Sequence, residues 1–357
     1  MAGFTTSEDQ KKFNIPALKG APMTRLLSLT LIVLVLTTLN VLADETPAAT
    51  AQSNTASEVQ TPAAAATLFF SYNYYHYELT GQSTASTYIY KFGASTVDLN
   101  LLSATWMYSP DWTFVALVPH LYNKVETIYE PTAQGMNFKT TDTTSGLSDI
   151  RLMAVTPLSL DAAHFTMLDI GMTVPTGSID KYFTSNPAQR AAYNMQLGSG
   201  TPDFVVGATV TNTKEKLISS ARGQVTVRGG RNSNSWALGN EFIAKLSSIY
   251  GVNNYFSTGL VGNYKIRGAV VGKDEKYELN NNYVNPAAGI AGDGHQFYHE
   301  AQATWDATVM AKLQTASYKG FNAAVEAGVP VAQGAANKDD VRLDIDYYAA
   351  ASLNASF

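Results

Sequence analysis

The sequence predicts an all-β fold, a transmembrane antiparallel up-and-down β-barrel of about twelve strands, and three observations lead to this prediction. From residue 67 onward, segments rich in aromatic and β-branched residues alternate apolar and polar positions with a period of two. The connections between these segments alternate between short turns and long loops, which is typical of outer-membrane barrels. Aromatic residues gather near the segment ends, where the two membrane interfaces of a barrel lie.

The composition agrees with this fold class and excludes several others. Of the 357 residues, 15% are charged and 45% are hydrophobic, so a bundle of transmembrane helices is excluded. The formal net charge of -5 argues against nucleic acid as a partner, because surfaces that bind nucleic acid are basic. The sequence contains no cysteine, which excludes disulfides, cysteine-bound zinc and thiol catalysis.

The N-terminal region is predicted to be a targeting segment. An apolar run at 26–43 follows a basic residue and ends on Ala43, a pattern typical of secretory signal peptides. We predict a signal peptide over residues 23–43, preceded at 1–22 by an extension upstream of the true start. An uncleaved membrane anchor is the alternative, but no basic stop-transfer cluster follows the run. Residues 44–66 are poor in large apolar side chains and are predicted to form a flexible tether.

The predicted barrel occupies residues 67–357, and its first half contains six strands. Within this half, Asp149 and Arg151 alternate with apolar neighbours, as expected of a half-buried strand. The connections at 129–146 and 176–200 are long, and the others are short turns. The six strands are Thr67–Leu79, Thr87–Tyr108, Trp112–Ile128, Leu147–Pro157, His164–Val174 and Thr201–Asn212.

The second half of the predicted barrel also contains six strands. In the first of them, Arg222, Gln224 and Arg228 fall on one face, with small or apolar residues between them. The connection at 268–297 is the long loop of this half. An even number of strands places both termini on the side of the short turns, as in single-chain bacterial barrels. Barrels of ten or fourteen strands are the alternatives to twelve. The six strands are Leu217–Gly229, Ser235–Ser248, Asn254–Ile266, Tyr298–Leu313, Phe321–Val331 and Val341–Phe357.

The terminal residue, Phe357, adds to the evidence for a membrane barrel. Bacterial outer-membrane proteins commonly end on an aromatic residue that the barrel-insertion machinery reads, so we predict this machinery and outer-membrane lipid as partners. A secreted β-sandwich would show the same alternation. The signal peptide, the absence of cysteine and the loop pattern together favour a barrel located in the cell outer membrane.

Three short motifs surround the loop that follows the predicted strand ending at Val174. They are Gly146-Leu147-Ser148-Asp149, Pro175-Thr176-Gly177 and Leu197-Gly198-Ser199-Gly200-Thr201. Together they resemble the outer-membrane family named for the MetA pathway of phenol degradation, in which Gly-x-Gly-Asp begins a strand, Pro-x-Gly ends the next, and Leu-Gly-Ser-Gly-Thr precedes another. The resemblance covers mainly residues 146–207 of this chain, and loosely the whole barrel. The sequence departs from the family pattern at Ser148, which stands where Gly-x-Gly-Asp has its second glycine. It implies an outer-membrane channel or transporter with a link to aromatic compounds, and it supplies no catalytic residue.

The glycines of these motifs are predicted to act through loop geometry. Gly146, Gly177, Gly198 and Gly200 all lie at the ends of predicted strands or in the long loop. Gly198 and Gly200 permit positive φ, which lets a long loop turn sharply into a strand.

Charged residues on the predicted inward faces are the candidate lumen-lining residues. In a pore they would tune selectivity, whereas in a narrow lumen they would form a hydrogen-bonded plug. A barrel of about twelve strands lies between filled small barrels and water-filled large ones, so both alternatives stay open. The main candidates are Asp149, Arg151, Arg222, Arg228, Glu241, Lys245, Glu300, Asp306, Glu326, Arg342, Asp344 and Asp346; Asp98, Asp169 and Lys265 are further ones.

No catalytic, cofactor or metal site is predicted. His295 and His299 are close in sequence, but histidines beside a glycine-rich stretch are usually ordinary loop residues. No Gly-x-Ser-x-Gly elbow and no phosphate-binding loop is present. The predicted function is therefore that of a channel or transporter for small-molecule solutes, hydrophobic or aromatic compounds among them, and not of an enzyme. The alternative is a closed structural or binding barrel that acts through its surface loops.

Overall fold

The residues that the computed structural model describes are 68–82, 90–109, 111–129, 138–160, 163–185, 187, 190–272, 274, 301–335 and 342–357. The predicted extension at 1–22, signal peptide at 23–43 and tether at 44–66 lie outside the described residues and stay predictions. Among the described residues, no helix is long and apolar enough to cross a membrane. One 3-10 turn, Tyr193–Met195, lies in a loop.

Sixteen strands make up the described structure. Twelve of them form the barrel wall, and the other four, β2, β5, β10 and β13, lie at one end of it. The strands are β1 Leu68–Gln82, β2 Tyr90–Phe92, β3 Ser95–Met107, β4 Thr113–Tyr129, β5 Phe138–Leu147, β6 Ile150–Leu160, β7 His164–Val174, β8 Phe204–Lys214, β9 Leu217–Val227, β10 Trp236–Ala237, β11 Glu241–Gly251, β12 Phe256–Arg267, β13 Val271–Gly272, β14 Gln302–Gln314, β15 Phe321–Ala335 and β16 Arg342–Ser356.

The barrel is closed and antiparallel throughout, which confirms the predicted fold class. Each wall strand pairs with its neighbours along the chain, and β1 pairs with β16 to join the two ends of the sheet. Closure matters because every backbone N–H and C=O of a membrane-spanning sheet must be bonded within the sheet. All twelve predicted strands correspond to wall strands, and most boundaries are displaced by up to four residues. The exceptions are the strands predicted to begin at Thr87 and Ser235, whose wall strands begin at Ser95 and Glu241.

One strand has the predicted length, displaced by one residue, but recruits an unpredicted partner. The outer half of β4 extends beyond the wall and pairs with β2 on one side and β5 on the other. The segment of β5 was expected to be loop, because its sequence FKTTDTTSGL shows no apolar alternation. Its strand conformation comes from the ladder that β4 offers, a long-range effect that local sequence does not encode.

The wall strands have an apolar outer face and a mixed inner face. In β3, Leu99 and Leu101 point inward and are buried, whereas Leu102 and Trp106 point outward and are about half exposed. The outward side chains are predominantly apolar along β6 to β16, as a surface that contacts lipid requires. Aromatic clusters lie at the end that carries the short turns, where Trp106 contacts Tyr108 and Phe114. Phe357 contacts Phe70 and Phe321 at this same end.

The predicted inward positions of Asp98, Asp344 and Asp346 are wrong. In β3, the neighbours of Asp98 on both sides, Val97 and Leu99, point inward, so Asp98 faces outward. In β16, the register with β1 shifts by one residue, so that Tyr348 and Ile345 both face inward although they are three residues apart. This bulge ends the strict period of two, and it turns Asp344 and Asp346 to the outer face, where the Thr80 hydroxyl donates a hydrogen bond to Asp346 at 2.5 Å.

Candidate functional site: the barrel interior and its mouth

The interior wall is divided into two sectors of different chemistry. Apolar side chains predominate on the inward faces of β16, β1, β3, β4, β6 and β7, which we call the apolar sector, and most of the inward charged side chains lie on β8 to β15, which we call the polar sector. The separation is one of degree, because Val205, Ile249, Val261 and Met310 of the polar sector belong to the same apolar cluster. Because inward side chains alternate with lipid-facing ones, this division is set by every second residue of each strand. The apolar sector consists of Tyr75, Tyr77, Leu79, Val97, Leu99, Leu101, Val115, Leu117, Leu121, Met153, Val155, Phe165, Met167, Ile345 and Tyr348.

A buried ion pair lies where the polar sector meets the apolar one. The Arg222 guanidinium donates hydrogen bonds to both carboxylate oxygens of Asp169, each at 2.8 Å. The same guanidinium donates to Thr209 and to the side-chain oxygen of Gln224, both at 2.9 Å. The pair spans from β7 to β9 across Gly207, and a side chain at 207 would overlap with both partners. The glycine therefore lets the two charged groups lie flat against the wall.

The polar sector continues over the next three strands at the same level. Lys245 lies directly opposite Arg222 in the register of β11 and β9, and it is buried. The Asn263 amide donates to both oxygens of Asp306, at 3.0 and 3.2 Å, and the Thr308 hydroxyl donates to Asp306 at 3.0 Å. Lys245 is near enough to Asp306 to interact with its carboxylate electrostatically. Around this part of the lumen, the two neighbouring cations Arg222 and Lys245 are thus flanked by one carboxylate on each side, Asp169 and Asp306.

A second group of charges lies closer to the long-loop end of the barrel. Arg228 forms an ion pair with Asp203 at 2.7 Å, and Lys265 forms one with Glu241 at 2.7 Å. Arg267 donates a hydrogen bond to Gln302 at 3.0 Å. These side chains are contributed by neighbouring strands or by the residues that adjoin them, so they form a charged rim around one half of the mouth.

A glycine on β15 has the same role as Gly207. The ring of Tyr348 lies over Gly328, where a side chain would overlap with the ring. The Tyr348 hydroxyl donates a hydrogen bond to Glu326 at 2.9 Å. The ring therefore lies along the wall and connects the apolar sector to the polar one.

A cap of loop residues covers part of the mouth. We define it as residues 175–185, 187, 190–203, 229–240 and 268–272 with Asp274. Its centre is a ring contact between Tyr193 and Trp236, whose centroids are 4.7 Å apart, with Trp236 fully buried. Arg190 bonds to the carboxylates of Asp180 and Asp274, at 2.7 and 2.5 Å. Burial alone would lower the pKa of Arg190, but the hydrogen bond with Tyr182 and these two carboxylates raise it above its ordinary value. The guanidinium therefore stays charged and ties the loops together.

The cap is attached to the wall through the three motifs found in the sequence. The Asp149 carboxylate accepts hydrogen bonds from the backbone N–H of Gly177 at 2.9 Å, and from the N–H and hydroxyl of Ser199 at 2.7 and 2.9 Å. Leu197, in the same loop, packs into the core of the barrel interior. Asp149 was predicted to line the lumen; instead it is buried under the cap and holds it to the start of β6.

The motif glycines meet two different requirements. Gly146 and Gly200 have positive φ, of 144° and 70°, as a loop that turns sharply into a strand requires. Gly177 and Gly198 are not at positive φ, so Gly198 does not use the conformational freedom that a glycine permits there. Both instead allow close approach: a side chain at 198 would overlap with the Asp149 carboxylate, and one at 177 with the Leu197 carbonyl.

We expect the substitution Gly198→Ala to loosen the cap. The added methyl group would overlap with Oδ1 of Asp149 and with the Gly177 carbonyl, neither of which is the flexible end of a long side chain. Overpacking of this kind typically costs about 1–3 kcal/mol. Hydrogen exchange measured by mass spectrometry should become faster in residues 176–201. The control is Gly223→Ala, because Gly223 has open space around it; equal exchange in the two variants would contradict the expectation.

The other predicted residues have the following positions. Arg151 is inward and buried in β6, beside the apolar sector. Glu300 and the side chain of Arg342 lie outside what the structure describes. Residues that the sequence reasoning missed include Arg190 and Trp236, because loop packing has no periodic signal. Asp203 was also missed as an inward residue, although the alternation of β8, extended backward by one residue, would have indicated it.

The described histidines do not form a metal site. His76 lies on the outer face of β1, with ring nitrogens 2.7 Å from Asp98 and 3.3 Å from Glu78. In the part of the chain that the structure describes, no three acidic or histidine side chains are arranged to hold a metal ion. His295 and His299 lie outside the described residues.

Comparison with known proteins bears on the fold. No family model and no curated protein matches the chain in sequence. Its structure is similar to that of an outer-membrane channel from Pseudomonas putida F1, with 14% identity, a TM-score of 0.54, and coverage of 83% of this chain and 97% of that one. A weaker match is the KdgM porin, with 9% identity, a TM-score of 0.36, and coverage of 80% of this chain and 99% of that one. Another is the Ralstonia pickettii toluene transporter TbuX, with 9% identity, a TM-score of 0.35, and coverage of 82% of this chain and 90% of that one.

The first of these matches shows that the fold is one used by outer-membrane barrels. The closed sheet satisfies its backbone polar groups internally, and its outer face is predominantly apolar, as a bilayer demands. The protein is therefore a twelve-stranded barrel of the outer membrane, as the sequence predicted.

Proposed function

We propose that the protein is an outer-membrane channel or transporter for small solutes, hydrophobic or aromatic compounds among them, and not an enzyme. One observation carries the proposal, which is the uneven distribution of charged side chains on the interior wall: most of them lie in the polar sector, and few lie in the apolar sector. If the interior served only to stabilise the fold, apolar side chains would fill it at a lower free-energy cost than charged ones, because each buried charge loses its hydration and must be paired. A wall with two sectors suits a pathway along which a solute keeps its apolar part on one side and water or polar groups on the other.

The flat placement of large side chains supports the same function. The Asp169–Arg222 pair and the Tyr348 ring both lie against the wall over glycines, so they extend less far into the lumen than side chains that point to its axis would. The cap then acts as the entrance, fixed to β6 by Asp149 on one side of the mouth. The meeting of the three motifs at Asp149 also supports a relationship with the family named for the MetA pathway of phenol degradation, which stays a proposal.

The second candidate function is a closed barrel that acts through its surface loops. A specific observation favours it: the inward side chains of Leu101, Leu117, Val205 and Val261 have no solvent exposure. Side chains covered to this degree do not line a wide aqueous pore. In this alternative the cap, rather than the lumen, would contact a partner.

Single-channel conductance in a planar bilayer decides between the two. The protein is purified from the outer membrane in detergent, so that it is studied as folded in the cell. Because the chain contains no cysteine, single cysteines can be introduced without background. We expect discrete current steps, and we expect a negatively charged methanethiosulfonate reagent to reduce them in Thr209→Cys, whose side chain faces inward.

The matched control is Ala208→Cys, the adjacent residue, which faces lipid. Its current should not respond to the reagent. Absence of current steps from folded protein would overturn the channel and favour the closed barrel. Current steps that respond equally in the two variants would show that the ions do not pass through this lumen. Recognition of Phe357 by the insertion machinery is a separate proposal, supported by its exposed position at the short-turn end.

A further inference from the structure

The carboxylates on the outer face of the barrel wall lie in one region. At the outward positions of β6 to β15, the described side chains include no carboxylate. On β1, β3, β4 and the half of β16 nearest the long loops, polar and charged side chains point outward instead. We call this region the outer polar face, and it consists of Tyr72, Tyr74, His76, Glu78, Asp98, Asn100, His120, Tyr122, Lys124, Asp344, Asp346 and Tyr347.

The middle of the outer polar face is a hydrogen-bonded network on the surface of the sheet. The Asp98 carboxylate accepts a hydrogen bond from the Tyr74 hydroxyl at 2.8 Å and lies 2.7 Å from Nδ1 of His76. Nε2 of His76 lies 3.3 Å from the Glu78 carboxylate. The side chains of His76, Glu78 and Asp98 nevertheless stay 27%, 31% and 24% exposed. Lipid tails would offer these exposed polar atoms no hydrogen bond.

This network lies at a depth where the rest of the barrel presents apolar side chains to lipid. Asp98 is nine residues from the short-turn end of β3. At nine or ten residues from the short-turn ends of β8, β9 and β11, the outward residues are Phe204, Val227 and Phe242, which are all exposed. Charged groups on the lipid face destabilise a barrel in a depth-dependent way. The outer polar face is therefore better matched to a protein surface than to lipid tails.

The two edges of the outer polar face carry opposite charge. The edge on β16 is acidic and contains Asp344 and Asp346. The edge on β4 contains Lys124, which is exposed. Glu126, two residues further along β4, forms an ion pair with Lys139, so these two charges balance each other. A surface whose acidic and basic edges lie on opposite sides is complementary to a second copy of itself.

The geometry of a membrane brings these two edges together. Two copies in one membrane have the same orientation, so a twofold axis that relates them runs along the membrane normal. Such an axis places the β16 edge of one copy against the β4 edge of the other at the same depth. Asp346 is ten residues from the short-turn end of β16, and Lys124 is eleven residues from that of β4. Their opposite charges would therefore meet on both sides of the contact.

Between the edges, the face combines large and small side chains. Tyr72 and Tyr347 are 43% and 44% exposed, and each combines an apolar ring with a polar tip. Ala349 and Ala351 lie beside them on the outward side of β16. Small residues of this kind let a neighbouring membrane segment approach closely.

We propose that the outer polar face is the contact surface between two copies of this chain, which form a twofold-symmetric dimer in the outer membrane. The inference goes beyond the proposed function, because it does not depend on what passes through the lumen. The other neighbour that this position allows is lipopolysaccharide, whose phosphates the four carboxylates of the face would repel. A second copy instead brings Lys124 to the acidic edge.

Disulfide cross-linking in the outer membrane of intact cells tests the proposal. Because the chain contains no cysteine, Leu102→Cys places a single thiol on the outward side of β3, within the face. Copper phenanthroline enters the bilayer and oxidises thiols that meet. The matched control is Leu246→Cys, on the outward side of β11 across the barrel; both leucines are five residues from the short-turn ends of their strands. We expect a disulfide-linked dimer from Leu102→Cys and only monomer from Leu246→Cys.

Charge reversal in the Leu102→Cys chain assigns the contact to the two edges. Lys124→Glu and Asp346→Lys each place like charges opposite one another, and each should lower the cross-linked fraction about tenfold, which corresponds to about 1.4 kcal/mol. When the two variants are co-expressed with different tags, opposite charges face each other at both contacts, so the mixed dimer should form again. The control is Lys214→Glu at the short-turn end of β8, which should leave the cross-linked fraction unchanged.

The other outcomes overturn the proposal. Monomer alone from folded Leu102→Cys would exclude the dimer, and monomer that copurifies with lipopolysaccharide would assign the face to lipid. Equal linking of Leu102→Cys and Leu246→Cys would indicate random encounters. Linking that both charge variants retain would place the contact elsewhere. Heat-dependent gel mobility establishes folding; if a charge variant does not fold, the two cysteine variants still decide the question, because neither removes a polar group.

Discussion

Replacing Asp149 with alanine is expected to release the cap from the barrel wall and to increase channel conductance. The carboxylate accepts three hydrogen bonds from the loop, from the Gly177 N–H and from the N–H and hydroxyl of Ser199. Asp149 is 4% exposed, so water does not replace these bonds unless the loop moves. Each buried donor left without an acceptor costs about 1–3 kcal/mol. The sum is a large fraction of the stability of a typical domain.

Two measurements check this expectation. Hydrogen exchange in residues 176–201 should become faster by an order of magnitude or more, since about 1.4 kcal/mol corresponds to a factor of ten in an opening equilibrium. Single-channel conductance should rise, or the channel should open more often. Asp111→Ala is the matched control, because Asp111 is an exposed aspartate in the turn at the opposite end of the barrel.

A result in which the loop exchanges faster while conductance stays the same would separate the two parts of the expectation. It would show that Asp149 holds the cap but that the cap does not limit the current. Unchanged exchange in residues 176–201 would contradict the anchoring role itself, and the remaining contacts of the cap, such as those of Arg190, would then be sufficient to hold it.

The sequence predicted the barrel well because the wall obeys a local rule. A period of two is enforced along each strand by lipid on one side and the lumen on the other, so each strand can be recognised in isolation. Where that rule is broken, prediction failed. The bulge between β1 and β16 turned Asp344 and Asp346 outward, and β5 formed on a ladder that only the folded β4 provides.

The candidate site was predicted less completely than the wall. Arg222, Lys245 and Asp306 lie on the inward faces of their strands, where alternation alone determines the face of a residue. Alternation does not determine which charges meet, and the pairing of Arg222 with Asp169 across Gly207 depends on the register of three strands. The cap could not be predicted from local sequence either, because the contact between Tyr193 and Trp236 joins two loops that are far apart in sequence.

Breaking the Asp169–Arg222 pair is expected to destabilise the barrel strongly. Arg222→Met would leave the Asp169 carboxylate, which is 3% exposed, buried without its cation. Removing one partner of a buried ion pair typically costs about 3–5 kcal/mol. The measurement is the urea midpoint of unfolding in lipid vesicles, with the folded fraction read from heat-dependent gel mobility.

The double variant Asp169→Leu, Arg222→Met shows how much of that cost comes from the unpaired charge. Replacing a buried pair by apolar side chains of similar size is often neutral or stabilising, so the double variant should recover most of the loss. Lys139→Met provides the comparison with an exposed pair, since Lys139 contacts Glu126 with most of its side chain in solvent; such pairs contribute about 0–1 kcal/mol. A double variant as unstable as Arg222→Met would mean that the geometry over Gly207, rather than charge, supports the wall. Recovery of stability would instead mean that the fold does not need the pair, which is then kept for what passes through the lumen.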